Sequence, residues 1–310
     1  MTILITGGTG LIGTALSKAL TANGHEAIIL SRQAKKASKG NIHYAQWDVN
    51  KGTIDRTAIE RTDAIIHLAG ANVADGRWTE KRKKEIVDSR VKSGELLVNA
   101  MSEIPNRIQT VISSSAIGIY GADPTVPNNK PFVETVDLDD SFLGSTCQQW
   151  EAAIEPVEGL GKRLVILRTG IVLSREGGAY EEFRKPLRFG IASVLGSGKQ
   201  VVSWIHVDDL VVLYMHALQH TEVNGVYNAV APQPVSNWEL VKQIAKAKGG
   251  FSIAVPVPAF VLKLMLGEMS IEVLKSATVS CKKIQQAGFS FQYPTIEGAA
   301  HNLENVNAHS

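Results

Sequence analysis

Cysteine is scarce in this sequence. Only two cysteines, Cys147 and Cys281, occur among the 310 residues, and no residues with metal-ligand spacing surround them. This scarcity argues against a disulfide scaffold and is typical of proteins from a reducing compartment. It also leads us to predict no metal site.

Long apolar runs are missing as well. No stretch approaches the roughly 20 consecutive apolar residues that a membrane-spanning helix needs. The apolar N-terminus lacks a preceding basic region and is interrupted by Gly7-Gly8, which is unlike a signal peptide. We therefore expect a cytoplasmic protein without a membrane partner.

Neither sign of charge is in excess. The sequence has 32 Lys and Arg against 30 Asp and Glu residues, a net charge of +2, which is too balanced to predict a nucleic-acid partner. With 44% hydrophobic and 20% charged residues, the composition is that of a globular protein. A chain of this length suits one α/β domain with a smaller appended lobe.

The first two-thirds of the chain alternate short β-branched runs with longer helical patterns. The predicted strands are Thr2–Thr6, Glu26–Leu30, Ile42–Gln46, Asp63–His67, Gln109–Ser113 and Arg163–Leu167. The predicted helices are Leu11–Asn23, Glu80–Met101 and Asp139–Glu155. Several strands are nearly continuous apolar runs, as expected of parallel strands covered on both faces. The alternation predicts a doubly wound parallel sheet.

A glycine-rich turn connects the first predicted strand to the first predicted helix. Gly7, Gly10 and Gly13 stand at the spacing that lets a backbone turn tightly and approach a pyrophosphate, which the free N–H groups of the helix then bind. The strand–turn–helix context makes a tight turn without a ligand the weaker interpretation. The pattern predicts a dinucleotide site, to which Thr6, Leu11 and Ile12 also belong.

The end of the second strand indicates which nicotinamide cofactor is bound. An NAD site places Asp or Glu there for the ribose 2′-hydroxyl, whereas this chain has Ser31-Arg32, followed by Lys35, Lys36 and Lys39. A guanidinium suits a 2′-phosphate, which a carboxylate would repel. The alternative, a solvated basic loop, explains the lysines but not the missing carboxylate. We therefore predict NADP(H).

The regular alternation of strand and helix patterns ends after Arg168. A glycine-rich stretch, Gly177–Gly198, precedes the segment Val201–His206 and a predicted helix at Val207–His220. A strand near Val226–Ala229 and a helix capped by Asn237 follow. We predict a nucleotide-binding domain at residues 1–175, to which 200–230 return, and a smaller substrate lobe at 176–199 and 231–300.

In the apolar segment Ala259–Lys275, a membrane-surface or partner helix is one interpretation. The favoured one is a buried face made by Leu262, Met265 and Leu266.

The sequence resembles the extended short-chain dehydrogenases/reductases, the superfamily that includes nucleotide-sugar epimerases, and within it the atypical branch called the epimerase family. Besides the glycine turn, the resemblance rests on Trp47-Asp48, His67-Leu68-Ala69-Gly70, Ser113-Ser114-Ser115 with Tyr120-Gly121, Arg168-Thr169-Gly170 and Trp204–Asp209. The branch features are Trp78, Lys84-Glu85 with Ser89-Arg90, Phe142-Leu143 with Cys147 and Trp150-Glu151, and Gly196–Gln200. One departure lies at Ser276–Lys283, where such proteins carry Gly-Gln followed by Pro.

The resemblance implies further cofactor contacts and a Rossmann-type fold with a small C-terminal substrate lobe. Leu68, Ala69 and Gly70 would line the phosphate and ribose path, Glu85 and Arg90 would reach the cofactor from the next helix, and Asp48 would meet the adenine. Ser113 and Arg168 complete the candidate cofactor residues. For Glu85, an exposed helix charge is the alternative, whereas the cationic fork of Arg90 has an obvious partner in a dinucleotide.

The catalytic pair of the superfamily is absent. Its Tyr-x-x-x-Lys motif supplies a general acid/base and a cation that lowers the tyrosine pKa. The helix cadence here places Leu143 at the tyrosine position and Cys147 at the lysine position. Leucine exchanges no proton, and a neutral thiol does not replace an ammonium.

Other proton donors are conceivable. Ser115 occupies the position of the serine that orients the substrate, although Ser113–Ser115 also suit hydroxyls bonded to backbone. Tyr120 and the Cys147 thiol are candidate donors, and an inert buried Cys147 is the alternative. His206 is a further candidate, because the ordinary pKa of a histidine lies near neutrality, but its neighbours look like a structural corner.

Two functions stay open on the sequence. One is an NADP(H)-dependent oxidoreductase or epimerase acting on a small carbonyl or sugar-nucleotide-like substrate. The other is a non-catalytic NADP(H)-binding sensor or regulator, because a nucleotide site is compatible with either. By resemblance, a homodimer through the helices Glu80–Met101 and Asp139–Glu155 is also expected.

Overall fold

The computed structural model describes residues 1–33 and 38–305. Its strands are β1 Thr2–Thr6, β2 Glu26–Ser31, β3 Ile42–Asp48, β4 Thr53–Ile54, β5 Ala64–His67, β6 Thr110–Ala116, β7 Arg163–Thr169, β8 Ile171–Leu173, β9 Ile191–Leu195, β10 Val201–Val202, β11 Trp204–His206, β12 Gly225–Ala229, β13 Val235–Ser236 and β14 Ile253–Val257. Its α-helices are α1 Leu11–Ala22, α2 Arg56–Arg61, α3 Glu80–Glu103, α4 Phe142–Ile154, α5 Ala179–Leu187, α6 Val207–Gln219, α7 Asn237–Lys248, α8 Ala259–Leu266, α9 Ser270–Leu274, α10 Lys282–Gln286 and α11 Ile296–Asn305. Three short 3-10 helices lie at Ile117–Ile119, Glu155–Leu160 and Gly267–Met269.

Eight strands form the main sheet in the order β12-β7-β6-β5-β1-β2-β3-β4. All neighbours pair in parallel except β3 and β4, which pair antiparallel. The order reverses at β1, because the chain first adds β2 and β3 on one side and then returns to add β5, β6 and β7 on the other. The predicted doubly wound, Rossmann-type sheet is confirmed, and the carboxyl ends of its strands meet along one edge.

Helices cover both faces of this sheet. Along β1, Ile3 and Ile5 point to a core shared with α1 and α6, while Leu4 points to a second core shared with α2 and α3. This alternation follows from the two-residue period of a strand and explains why β1 is apolar at every central position.

A third apolar cluster is formed by elements from the second half of the chain. Tyr180 of α5, Val194 of β9, Leu240 of α7 and Ala299 of α11 are among its buried members. Within the described residues, three further two-stranded sheets pair β8 with β11, β9 with β14 and β10 with β13. The predicted division into a nucleotide-binding domain and a substrate lobe stays a prediction. The glycine-rich stretch Gly177–Gly198 contains α5 and β9.

The ends of two helices differ from the prediction. α7 is capped by Ser236, whose hydroxyl accepts from the Glu239 N–H (3.1 Å), rather than by Asn237. The Asn237 side chain instead accepts from the Leu195 N–H (2.8 Å) and joins α7 to β9. α4 begins at Phe142 rather than at Asp139, because the Ser141 hydroxyl accepts from the Gly144 N–H (3.3 Å).

The apolar segment after Pro258 is less buried than predicted. Leu262 of α8 is 6% exposed, but Met265 is 64% exposed and Leu266 is half-buried. The predicted buried face therefore reduces to Leu262 and part of Leu266. No helix in the described part of the chain is long and apolar enough to cross a membrane.

Candidate functional site

The glycine turn joins β1 to α1 in a form that excludes side chains. Gly7 has a φ of +67°, and a Cβ added there would lie 2.8 Å from the carbonyl oxygen of Leu68. A Cβ on Gly13 would collide with the Gly7 carbonyl and lie 2.5 Å from Cα of Gly8. The turn is therefore closed against both the end of β5 and its own helix, which leaves its outer side to a ligand.

The N-terminus of α1 suits an anion. Its N-cap is Gly10, and within the described residues no side chain accepts a hydrogen bond at this cap and no acidic residue stands in the first turn. The first N–H groups of the helix and the positive end of its dipole consequently remain available to a phosphate. The turn and the helix together fit the pyrophosphate of a dinucleotide.

Thr6, the last residue of β1, holds the end of β5, against which the glycine turn packs. Its hydroxyl lies 2.8 Å from Nδ1 of His67 and accepts from the N–H groups of Leu68 and Ala69, each at 3.0 Å. Burial, with a smaller contribution from the nearby charge of Arg90, lowers the pKa of His67 to about 4. A neutral His67 and the Thr6 hydroxyl therefore hold the backbone that follows β5. In this structure Thr6 positions Leu68 and Ala69, which are themselves candidate cofactor residues.

The end of β2 presents Ser31 and Arg32 beside the turn, because Leu30 pairs with Thr6 in the β1–β2 register. Arg32 is exposed, and the Ser31 hydroxyl accepts from the Gln33 N–H (3.2 Å). Lys35 and Lys36 lie outside the described residues, and Lys39 is exposed.

Asp48 follows at the end of β3. Its carboxylate accepts from the N–H groups of Asn50 (3.0 Å) and Lys51 (3.2 Å), which shapes the turn after the strand. The side chain is half-buried. The predicted contact of Asp48 with adenine stays a prediction.

On the other side of β1, Arg90 of α3 lies against the end of β5. A Cβ on Gly70 would lie 3.1 Å from Cζ of Arg90, whose guanidinium stacks over the Trp150 ring at 4.9 Å. Its Nη1 donates to the carbonyls of Ala71 (3.1 Å) and Ile86 (2.9 Å). Burial lowers the pKa of Arg90, although the group stays cationic.

Glu85 has a different environment. It is exposed and accepts from Arg82 one turn earlier on α3 (2.7 Å). This ion pair is the solvated helix charge that we had considered as the alternative, and the contact of Glu85 with a cofactor stays a prediction.

Ser115, Glu151 and Arg168 form a buried polar network at the end of β6. The Ser115 hydroxyl donates to Oε1 of Glu151 (2.6 Å), and Arg168 binds the same carboxylate through Nε (2.9 Å) and Nη2 (2.8 Å). Burial alone would lower the pKa of Arg168, but the hydrogen bonds and charge of Glu151 outweigh it and raise that pKa. Arg168 thus pairs with Glu151, and its contact with the cofactor stays a prediction.

Tyr120 has no exposed surface. Its hydroxyl donates to Oδ1 of Asn228 (2.7 Å) and accepts from Nη1 of Arg168 (3.1 Å), and its ring stacks on Phe132. Burial raises its pKa above the usual range. Tyr120 therefore extends the Arg168 network, and its role as a proton donor stays a prediction.

Cys147 and Leu143 pack against the 3-10 turn at Ile117–Ile119. A Cβ on Gly118 would lie 3.4 Å from Cβ of Leu143 and 3.9 Å from Sγ of Cys147. Burial raises the pKa of the Cys147 thiol to about 11, against the opposing charge of Arg90. This environment favours the inert buried cysteine over a proton donor.

Two further polar residues have structural partners. His206 caps α6, because its Nδ1 accepts from the Asp208 N–H (3.0 Å), and its ring packs on Tyr293 with centroids 4.0 Å apart. The Ser113 hydroxyl is buried and donates to the Ser114 carbonyl (3.2 Å), as the backbone-bonded alternative has it.

Sequence reasoning missed the partners that define the network. Glu151 was noted only as part of a motif, and Asn228 and Glu134 were not singled out. The Glu134 carboxylate accepts from the Asn228 N–H (2.8 Å), and its carbonyl accepts from Arg168 (3.1 Å). The available signal was that Glu151, one residue after Trp150, is the one charged residue of α4.

Comparisons with known proteins agree with this geometry. The model of the NAD dependent epimerase/dehydratase family matches residues 3–141, and a domain of unknown function (DUF1731) matches residues 257–303. The chain is 35% identical over 304 residues to the epimerase family protein YfhF of Bacillus subtilis, covering 98% of each chain. It is 32% identical over 306 residues to the human epimerase family protein SDR39U1, covering 98% of this chain and 99% of that one.

Solved structures give the same picture. The crystal structure of human SDR39U1 (isoform 2) with NADPH superposes with a TM-score of 0.87 at 30% identity, covering 98% of this chain and 99% of that chain. A nucleoside-diphosphate sugar epimerase from Corynebacterium glutamicum superposes with a TM-score of 0.76 at 31% identity. The match covers 98% of this chain and 58% of that chain.

Proposed function

Because the chain belongs to the NAD dependent epimerase/dehydratase family, as its relatives at 35% and 32% identity show, we propose that it binds NADP(H). We propose further that it works as an oxidoreductase or epimerase on a small carbonyl or sugar-nucleotide-like substrate.

The observation that carries the choice of NADP(H) is the end of β2. Arg32 is exposed there, beside a glycine turn that fits a pyrophosphate, and the strand ends in Ser31 rather than in a carboxylate. A guanidinium binds a 2′-phosphate through paired charged hydrogen bonds, whereas an NAD site needs an acceptor for the 2′-hydroxyl. The NADPH-bound structure of the human relative supports this choice.

The network at Ser115 supports an enzymatic role. NADP(H), when bound, supplies or accepts a hydride. Because Glu151 is a carboxylate paired with Arg168, the 2.6 Å hydrogen bond requires Ser115 to be the donor, and its lone pairs remain for a substrate hydroxyl. In the oxidative direction, Ser115 would take the hydroxyl proton of the substrate while its own proton passes to Oε1 of Glu151.

A specific observation also favours the second candidate, a non-catalytic NADP(H) sensor. The side chains at the two positions of the missing pair are Leu143 and a buried, neutral Cys147, and the Tyr120 hydroxyl already donates its proton to Asn228. A site with cofactor determinants and without the usual acid/base pair suits binding alone.

One experiment separates the two functions. Purified protein is titrated with NADPH, and NADPH oxidation is then followed with a panel of aldehydes, ketones, quinones and nucleotide sugars. We expect turnover that falls by about 100-fold or more in Ser115→Ala, because general acid/base groups contribute about that much. The control variant is Ser145→Ala, which removes a serine hydroxyl from α4, the helix that carries Glu151. Tight NADPH binding without turnover on the whole panel would favour the sensor.

A further inference from the structure

The apolar side chains that are most exposed to solvent are concentrated in one part of the chain. Among the described residues, every large apolar side chain that is at least 60% exposed lies at position 189 or within residues 251–271. Phe189 and Phe251 are each 83% exposed, Leu264 is 73% exposed and Phe260 is 71% exposed. An exposed apolar surface of this kind normally marks the place where a partner binds.

The small sheet of β9 and β14 joins several of these side chains into one surface. The inner residues of β9 pack in the third apolar cluster, so the residues between them face outwards. On this outer face Ile191 pairs with Ile253, and both are exposed. Phe189 and Phe251 each stand two residues before one member of that pair, which places the two rings at the same end of the sheet.

α8 follows β14 directly and extends the surface. We call the two phenylalanines, the isoleucine pair and α8 together the apolar ridge. Phe260 and Leu264 are one helical turn apart and share a stripe of α8, whereas Leu262 is buried against the protein. The backbone of α8 is held by Arg77, which donates to the Leu264 carbonyl. A helix that is apolar on nearly every side is normally covered by protein or lipid, and no described residue covers the outer side of α8.

The charge next to the apolar ridge is positive. Lys263 is the one charged residue of α8, and Lys248 stands three residues before the first exposed phenylalanine of this segment. Neither lysine forms an ion pair within the described part of the chain. Glu268, the one carboxylate within residues 251–271, is paired with Lys83 (2.6 Å). The ridge therefore combines exposed apolar side chains with cations that lack a counter-charge.

An anionic lipid surface complements this combination better than a second copy of the chain does. A symmetric dimer through the ridge would bring the uncompensated lysines of two copies together. Addition of a strand at the open edge of β14 is also disfavoured, because Pro256 has no N–H to donate. At a bilayer surface, in contrast, phenylalanine and leucine side chains enter the boundary of the acyl chains while lysines meet anionic headgroups.

We propose that the apolar ridge binds the surface of a membrane that contains anionic phospholipids, so that the protein lies on the bilayer and does not span it. This role goes beyond the proposed function and does not depend on bound NADP(H). It replaces our expectation of a chain without a membrane partner, because the buried face predicted for α8 is reduced to Leu262 and part of Leu266.

Co-sedimentation of the purified full chain with lipid vesicles tests the proposal. We expect binding to vesicles of equal parts phosphatidylcholine and phosphatidylglycerol, and binding at least about tenfold weaker to pure phosphatidylcholine. The double variant Phe260→Ser/Leu264→Ser should bind the mixed vesicles about 10- to 100-fold more weakly, because it loses two large apolar side chains. Lys263→Gln should weaken the same binding by about fivefold. Val212→Ser, which removes an exposed apolar side chain from α6 outside the ridge, is the control and should bind like wild type.

Three results overturn the proposal. Wild-type protein that does not sediment with the mixed vesicles has no such surface, and equal binding of wild type and the double variant places the contact elsewhere. A wild-type dimer that light scattering shows to dissociate in the double variant, without vesicle binding, identifies a second copy as the partner instead. If the double variant does not fold, as circular dichroism would show, Phe251→Ser undergoes the same comparison, since that side chain is 83% exposed.

Discussion

At the scale of single residues, the site depends on side chains that are neutral because they are buried. His67 stands at the end of β5, between the Thr6 hydroxyl and α3, and has no exposed surface. Its low pKa keeps the ring uncharged at neutral pH, so Thr6 can hold the backbone on which the cofactor path depends.

The pKa of His67 predicts a loss of stability in acid. The folded pKa of about 4 lies below the ordinary histidine pKa of 6.5, so the unfolded chain binds the proton more readily. The stabilisation is complete above pH 6.5 and is lost as the pH falls towards 4, by roughly 3 kcal/mol in total. Urea unfolding of wild type and His67→Gln between pH 7.5 and 4 measures it, and the variant should show the shallower pH dependence. The exposed His301→Gln is the control, and equal slopes for all three proteins would contradict the account.

Gly13 is the glycine of the turn with the least space. A Cβ there would lie 2.5 Å from Cα of Gly8, so Gly13→Ala should cost about 1–3 kcal/mol and weaken NADPH binding by about tenfold or more. Gly159→Ala is the matched control, because its Cβ would enter open space at a negative φ. NADPH affinity that is unchanged in Gly13→Ala would show that the turn does not hold the cofactor.

The candidate residues of the site were predictable singly but not in their contacts. Ser115 and Arg168 follow from the motif pattern, yet their shared partner Glu151 depends on how β6, β7 and α4 pack. Local periodicity carries no information about such packing. The same limit explains Tyr120, which the sequence offered as a candidate proton donor and which the structure buries against Phe132.

At the scale of elements, the strands and helices of the sheet domain were predicted because their patterns are strong. β1, β2 and α1 have nearly the predicted bounds, since continuous apolar runs and an amphipathic helix flanked by glycines leave little choice. The short strands β8, β9 and β14 pair in small sheets of their own, and their partners are set by tertiary contacts that a sequence pattern does not show.

α8 provides a test of where its buried face lies. Leu262 is 6% exposed and Met265 is 64% exposed, although the helical period suggested that both would be buried. Leu262→Ala should lower the free energy of unfolding by about 2–5 kcal/mol, and Met265→Ala by less than about 0.5 kcal/mol, as urea denaturation would measure. Similar losses in the two variants would mean that α8 is buried on the face that we first predicted.

At the scale of the whole molecule, the order of the strands in the sheet determines where each half of the cofactor is expected to lie. Because β2 and β5 flank β1, the two cations Arg32 and Arg90 lie on opposite sides of one glycine turn. Residues from the predicted substrate lobe also reach the core of the main sheet, since Val279, Ile284 and Phe289 pack in the same core as α1 and α6. The homodimer through α3 and α4 stays a prediction.

The measurement that tests the central claim most directly is the affinity of wild type and Arg32→Ala for NADPH and for NADH, by fluorescence titration. If Arg32 binds the 2′-phosphate, wild type prefers NADPH, and Arg32→Ala weakens NADPH binding by about 10- to 100-fold while NADH binding changes less than about twofold. The neighbouring, exposed Gln33→Ala should resemble wild type. Equal losses of affinity for NADPH and NADH in Arg32→Ala would contradict the assignment of NADP(H) to this site.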